Sequence, residues 1–306
     1  MKVLVTGGAG FIASHITDAL VEEGHSVIVL DNLSTGFEKN INPEARFINA
    51  DIRDKSLSKI FEEEKFDVIN HHAAQMDVRR SVADPSFDAA VNIIGTINLL
   101  QNAVKHKVKK FMFASTGGAV YGEQEYFPAD EKHPTSPLSP YGISKMSVEK
   151  YLYFYYTQYG LKYSILRYAN IYGPRQNPHG EAGVVAIFTR KLLNGEQPVI
   201  NGDGKQTRDY TFVKDVVKAN LLTLNDDGSE IYNVGTGKET DVNELFGMIN
   251  KYTGKGQMEK HGPAMPGEQL RSVITSEKLK QKFNWCPSTS IEAGLEKTVK
   301  YFKENL

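Results

Sequence analysis

Two short stretches combine residue types able to move a proton and to hold phosphate. In Tyr141-Gly-Ile-Ser-Lys145 the i, i+4 spacing sets a phenol and an ammonium on one helical face. A cation there favours phenolate over phenol, drawing a pKa normally near ~10 toward neutrality and making a usable general base. Such a pair is also common on helix surfaces, so its meaning depends on its company. That company is TGGAGFIAS, in which Gly7, Gly10 and Ala13 follow an apolar run and open an amphipathic one. Gly7 suits a tight turn, Gly10 leaves room for a pyrophosphate against the backbone, and Ala13 lets helix and strand pack closely. The free N–H groups of the helix start then face the phosphates. Asp31 ends the second apolar run, about 20 residues on, where a carboxylate accepts from an adenosine ribose hydroxyl. It would repel a 2′-phosphate, and no arginine adjoins it in sequence, which points to NAD rather than NADP. Ser115 and Thr116 close another apolar run ahead of two glycines. One of these hydroxyls bridges a substrate hydroxyl and Tyr141, or both merely start a turn.

These residues need elements to place them. Apolar runs over 3–6, 27–30, 46–50, 67–73, 110–115 and 163–168 alternate with amphipathic stretches, the pattern of βαβ units feeding a parallel sheet. The expectation is an α/β chain with a doubly wound parallel sheet (Rossmann) over residues 1–169, also receiving a strand from about 208–235. Residues 170–306, with Gly- and Pro-rich loops and helices near 184–193, 242–252 and 291–306, form mainly a smaller C-terminal substrate-binding domain over the strands' C-terminal ends. In such folds those ends line the ligand crevice.

A chain of 306 residues, 40% hydrophobic and 24% charged, can bury a full core. A net charge of -1 without like-charge runs leaves no footprint for nucleic acid or an anionic membrane. Cys286 is the single cysteine, so no intrachain disulfide forms. The N-terminal apolar run is too short for a signal peptide and no stretch of about 18 apolar residues follows, so the expected location is cytoplasmic. His71 and His72, adjacent on a strand, point to opposite faces, which argues against a metal site. The rings of YLYFYYTQY over 151–159 exceed what one sheet covers and fit a core or an interface.

TGGAGFIAS, DNLSTG, FASTGGAVYG, YGISK, RYANIYGPRQ and NGDGKQTRDYTFVKDVV, in this order, resemble the extended short-chain dehydrogenase/reductase family, with the nearest likeness to its UDP-glucose 4-epimerase branch. The similarity runs through the FNWCP and IEAGLEKTVKYF ending. It implies NAD-dependent inversion of the C4 hydroxyl of a UDP-hexose through a 4-keto intermediate, a place in galactose metabolism, and a homodimer joined by a four-helix bundle that includes the helix after Tyr141. It implies Tyr141 as base, Lys145 as its partner on the nicotinamide ribose, and a cofactor site of Gly7, Gly10, Phe11, Ile12, Asp31, Asn32, Thr35, Gly36, Asp51, Ile52, Ala73, Ala74, Gln75, Asn92 and Tyr168. Asp51 and Ile52 are expected beside the adenine. For the UDP-sugar it points to Asn170, Val184, Val199, Asn201, Arg208 and Glu268.

The chain departs from the family in three places. Gly117 stands where the third catalytic hydroxyl is usual, leaving Thr116 and then Ser115. Met265 stands where many members carry a phosphate-binding arginine, for which Arg271 is the candidate substitute. Ser272 stands where a tyrosine restricts a 2-acetamido group, which implies room for N-acetylated sugars. Related 4,6-dehydratases and UDP-glucuronate decarboxylases carry acids after the strand-end hydroxyl, whereas Gly117, Gly118 and Ala119 follow here; a UDP-glucuronate epimerase is a further alternative. A non-catalytic NAD-binding protein would not need the intact Tyr141 and Lys145.

Overall fold

The computed structural model describes residues 1–178, 183–265 and 269–305. The six apolar runs become β1 (Lys2–Thr6), β2 (Ser26–Asp31), β3 (Arg46–Asn49), β4 (Val68–His71), β5 (Lys110–Thr116) and β6 (Lys162–Tyr168). They pair in parallel in the order β3-β2-β1-β4-β5-β6, and the strand Glu230–Val234 adds to the β6 edge. Successive residues of a strand face opposite sides, so Val3 and Val5 join one core and Leu4 the other. The first side is covered by the helices Phe11–Glu22 and Val213–Leu224, which pack on each other. The second side carries Leu57–Glu64, Gly95–Lys105 and Pro140–Tyr159, whose Phe61, Leu99, Val148 and Leu152 are buried.

Two strands stop short of the expected bounds. Residues 72 and 73 leave β4 after the His72 N–H reaches the Thr6 carbonyl at 3.1 Å, because at that end the backbone turns from ladder into cavity wall. β3 likewise stops at Asn49, just before Asp51.

A second core lies beyond β6, built from Tyr172, Phe188, Phe212, Leu245, Phe246 and Leu295. It is supplied by the helices Val184–Leu193, Val242–Thr253 and Ile291–Asn305. Short strands tie its loops: Thr207–Arg208 lies between Thr240–Asp241 and Arg271–Ser272, and Tyr210–Phe212 pairs with Asn170–Tyr172. Among the described residues no helix is long and apolar enough to cross a membrane.

Candidate active site

A cavity of about 580 Å³ opens where the C-terminal ends of β1, β2, β4, β5 and β6 meet. Its floor is the glycine loop. Gly7 has φ +71°, and a Cβ there would lie 2.7 Å from the Ala73 nitrogen, while one on Gly10 would lie 3.0 Å from the Gly7 carbonyl oxygen. Only glycine keeps this backbone bare for a ligand's close approach. Asp31 is buried at the end of β2, accepting from Ala9 N–H at 3.0 Å and Leu33 N–H at 2.8 Å. Burial pushes its carboxyl up and those two N–H groups oppose the shift. A carboxylate has about four acceptor sites, so room remains for a hydroxyl donor.

Arg53 borders the same cavity, but Asp51 grips it at 2.8 Å through Nε and 2.8 Å through Nη2. The guanidinium holds the Asp51 carboxyl down to about 2. Asp51 also accepts from Asn32 at 2.9 Å, so that end is a closed set of charges.

At the other end stands the proton machinery. Ser139 caps the helix Pro140–Tyr159 by accepting from Gly142 N–H at 3.1 Å, with Pro140 in the first turn, a strong start signal. Tyr141 therefore sits in the first turn and Lys145 one turn on, and both border the cavity. Lys145 is 4% exposed. Its Nζ donates to the Ala114 carbonyl at 2.9 Å and lies 5.8 Å from the centre of the Tyr141 ring. Burial pushes the ammonium down to about 8, opposed by Asp88 and Glu149.

Ser115 and Thr116 both reach the cavity, but Ser115 Oγ donates to Glu149 Oε1 at 2.6 Å. Glu149 is in turn held by Arg167 through Nε at 3.0 Å and Nη2 at 2.6 Å. The Thr116 side chain has no such capping bond to the short helix Gly117–Val120. A Cβ on Gly117 would lie 2.7 Å from Ile274 Cδ1, so a side chain at that position requires the end of Ile274 to move. Tyr168, also on the wall, bonds His72 at 3.0 Å and Asn220 at 2.8 Å. Burial pushes its phenol up and pushes the His72 imidazole down to about 3. Both stay neutral, leaving Tyr141 as the phenol paired with a cation.

Of the other sequence-predicted residues, Phe11, Ile12, Thr35, Gly36, Ile52, Ala73, Ala74 and Gln75 line the cavity. Asn92 does not. It is 3% exposed and stands behind the wall, bonding both backbone polar groups of Gln75 at 2.9 Å. Asn170, Val184, Val199, Asn201, Arg208, Arg271 and Ser272 also lie off the cavity lining. Arg271 is an ion pair of Glu239 at 2.9 and 2.7 Å through Nε and Nη2 and stacks 3.8 Å above the Phe127 ring. Arg208 donates to its neighbour's carbonyl at 2.8 Å, and Ser272 is 4% exposed. Glu268 falls outside the described residues. Sequence reasoning missed Arg53, Arg80, Phe87, Gln176 and Asn177 on the wall. Gln176 is the last residue of the RYANIYGPRQ stretch and Arg53 follows Ile52, so motif membership and adjacency were the available signals.

The family model for the NAD dependent epimerase/dehydratase family matches residues 3–235. The UDP-glucose 4-epimerase of Mycolicibacterium smegmatis is 42% identical over 309 aligned residues, spanning 99% of each chain. The crystal structure of UDP-glucose 4-epimerase from Thermotoga maritima with UDP-glucose is 49% identical, with a TM-score of 0.98 over 99% of each chain. That of the Thermus thermophilus enzyme in complex with NAD is 43% identical, with a TM-score of 0.95 over 100% of each chain.

Proposed function

The chain belongs to the NAD-dependent epimerase/dehydratase family, and on that premise we propose that it is an enzyme inverting the C4 hydroxyl of a UDP-linked hexose, with Tyr141 as its base. The observation that carries this reading is the buried Lys145 ammonium beside the Tyr141 ring, on the same cavity as the bare glycine loop and Asp31. The cavity fits the dinucleotide. The space above Gly7 and Gly10 is the kind a Cβ would fill, and Asp31 supplies the ribose acceptor while Asp51 and Ile52 border the adenine position. Gly7, Gly10 and Asp31 would hold NAD there, and it would supply a reversible hydride acceptor for C4.

The residues do the remaining work. Tyr141 takes the proton of the 4-hydroxyl and returns it at the end. Lys145 favours the phenolate and donates toward the nicotinamide ribose. Thr116, whose neighbour Ser115 is committed to Glu149, aligns the 4-hydroxyl with the phenol. The second core's side of the molecule anchors the uridine diphosphate through Asn170, Val184, Val199, Asn201 and Arg208, while the hexose turns and presents the opposite face of the ketone. Enclosure keeps the ketone from water.

Dehydration is disfavoured by the placement of acids. Among the described residues the carboxylates on the cavity wall are Asp31, Asp51 and Asp77. The first two serve the adenosine end, and Asp77 caps the helix Val78–Ala83. None stands beside Thr116 to protonate a leaving C6 hydroxyl. Dimerisation is supported by Ile94, Ile143, Tyr151 and Phe154, exposed on neighbouring helical segments. The absence of a membrane-crossing helix among the described residues accords with a cytoplasmic enzyme.

Incubation with UDP-glucose, UDP-galactose, their N-acetyl forms and UDP-glucuronate, with products separated by chromatography, tests the proposal. Interconversion of UDP-glucose and UDP-galactose without accumulating NADH is the expected result. A 4-keto-6-deoxy product or stoichiometric NADH would reject it.

A further inference from the structure

The adenosine end of the cavity carries a carboxylate with no acceptor site to spare. Asp51, just past the end of β3, takes two donors on each of its oxygens. Oδ1 accepts from the Arg53 N–H at 2.9 Å and from Arg53 Nε at 2.8 Å. Oδ2 accepts from Arg53 Nη2 at 2.8 Å and from Asn32 Nδ2 at 2.9 Å. The backbone fixes that last direction, because Ser34 N–H donates to Asn32 Oδ1 at 3.0 Å and leaves the amide nitrogen to face Asp51. A carboxylate has about four acceptor sites, so nothing on Asp51 is left to receive the 6-amino group of an adenine. What the arrangement does supply is a guanidinium clamped in one orientation on the cavity wall.

Flat side chains continue from it. The Phe87 ring meets two guanidiniums, with Arg53 Cζ 5.6 Å and Arg80 Cζ 4.2 Å from its centre. Caps set the two short helices that carry Arg80 and Phe87. Asp77 starts Val78–Ala83 by accepting from the Arg80 N–H at 2.8 Å, and Asp84 starts Pro85–Ala89 by accepting from the Phe87 N–H at 2.9 Å. Arg53, Phe87 and Arg80 all border the cavity, as does Val91 on the π turn Ala90–Ile94. Guanidinium planes and aromatic rings hold a purine by its face and leave its edge unread. A dinucleotide whose adenosine ribose sits on Asp31 places its base beyond the end of β2, on the side where β3 adjoins it. We propose that the adenine of the bound dinucleotide is held by stacking on the wall of Arg53, Phe87 and Arg80, and that Asp51 is a positioning residue that clamps Arg53, not an acceptor for the 6-amino group. The inference rests on the dinucleotide assigned to this cavity above.

The test separates stacking from recognition of the base edge. Holoenzyme is incubated with an equimolar mixture of NAD and nicotinamide hypoxanthine dinucleotide, which carries a carbonyl in place of the 6-amino group. Bound dinucleotides are then counted by mass spectrometry after gel filtration. With stacking, the bound ratio should lie within about threefold of unity. A larger preference for NAD, which a hydrogen bond to a charged group sets at roughly tenfold or more, would overturn the proposal. Asp51→Asn releases Arg53, so both dinucleotides should leave faster together, and a loss confined to NAD would mark Asp51 as the amino-group acceptor and reject it. Phe87→Leu and Arg80→Ala should each speed release of either dinucleotide by roughly tenfold, with the affinity for nicotinamide mononucleotide, which lacks the adenosine half, unchanged. Wild-type release in both variants, or an equal weakening of the mononucleotide, would count against stacking and overturn the proposal. Arg80 is exposed, so its variant decides the matter should Phe87→Leu fail to fold. A wild type that takes up neither dinucleotide would remove the cofactor assignment itself, whereas a strong preference for NAD would remove this inference alone.

Discussion

At the scale of the residue, the site turns on a single exchangeable proton. Tyr141→Phe keeps the ring that borders the cavity and removes only the acceptor, so cofactor content should be unchanged while epimerisation falls by roughly 10²–10⁴-fold, the usual contribution of a positioned base. Absorbance of the bound dinucleotide and product chromatography on one preparation check both halves. Tyr141, Lys145, Asp31 and the glycines were legible because their spacing alone brings them to strand ends and a helix start. Arg53 in the Asp31 cavity was legible only through its adjacency to Ile52, because a strand crossover separates it from Asp31 in sequence and sheet pairing of β2 with β3 brings the two strand ends together. The roles expected of Asn92 and Arg271 depended on side-chain direction, which spacing does not carry: one turns to Gln75 and the other to Glu239.

At the scale of the element, the helix Pro140–Tyr159 is held by Glu149, whose ion pair with Arg167 is 3–4% exposed on each side. The pair joins the helix to β6, and Ser115 joins it to β5. Glu149→Ala leaves a buried guanidinium without its partner, at a cost of about 3–5 kcal/mol. Replacing both residues, Glu149→Leu with Arg167→Met, should cost clearly less, since no orphan charge remains. Urea midpoints of the two variants measure the difference, and equal losses would show that the pair contributes through shape alone. The strands were legible as apolar runs with correct order, and their ends were not, because the point where a strand yields to a cavity wall is set by the ligand side of the fold. The π turn at Ala90–Ile94 leaves no periodic trace in five residues.

At the scale of the whole molecule, the exposed apolar side chains of the second-side helices await a cover. Ile94 is 58% and Phe154 45% exposed, and rings so placed on adjoining helices suit a symmetric helical interface. Ile94→Glu with Phe154→Glu should turn a dimer into a monomer by light scattering, with the near-ultraviolet circular dichroism of the core retained. A monomeric wild type, or an unaltered mass in the variant, would reject this interface. The rings over 151–159 signalled this face in sequence, but which of them the sheet covers was decided by packing: Tyr155 is buried while Tyr153 is not.

The strand Glu230–Val234 pairs residue for residue with β6, from Glu230 beside Ser164 to Val234 beside Tyr168, and it arrives only after Tyr210–Phe212 and Val213–Leu224 have been laid down. During synthesis, then, β6 emerges from the ribosome some sixty residues before its neighbour does, as the pairing offset of 66 positions between Ser164 and Glu230 requires. Until that neighbour is made the nascent sheet presents an open parallel edge, and its first face has only Phe11–Glu22 of the two helices that cover it, a condition that invites pairing with other chains. The large domain cannot mature as a vectorial product of its own N-terminal sequence. Its completion is timed by a segment that the ribosome delivers after the first strand of the second core.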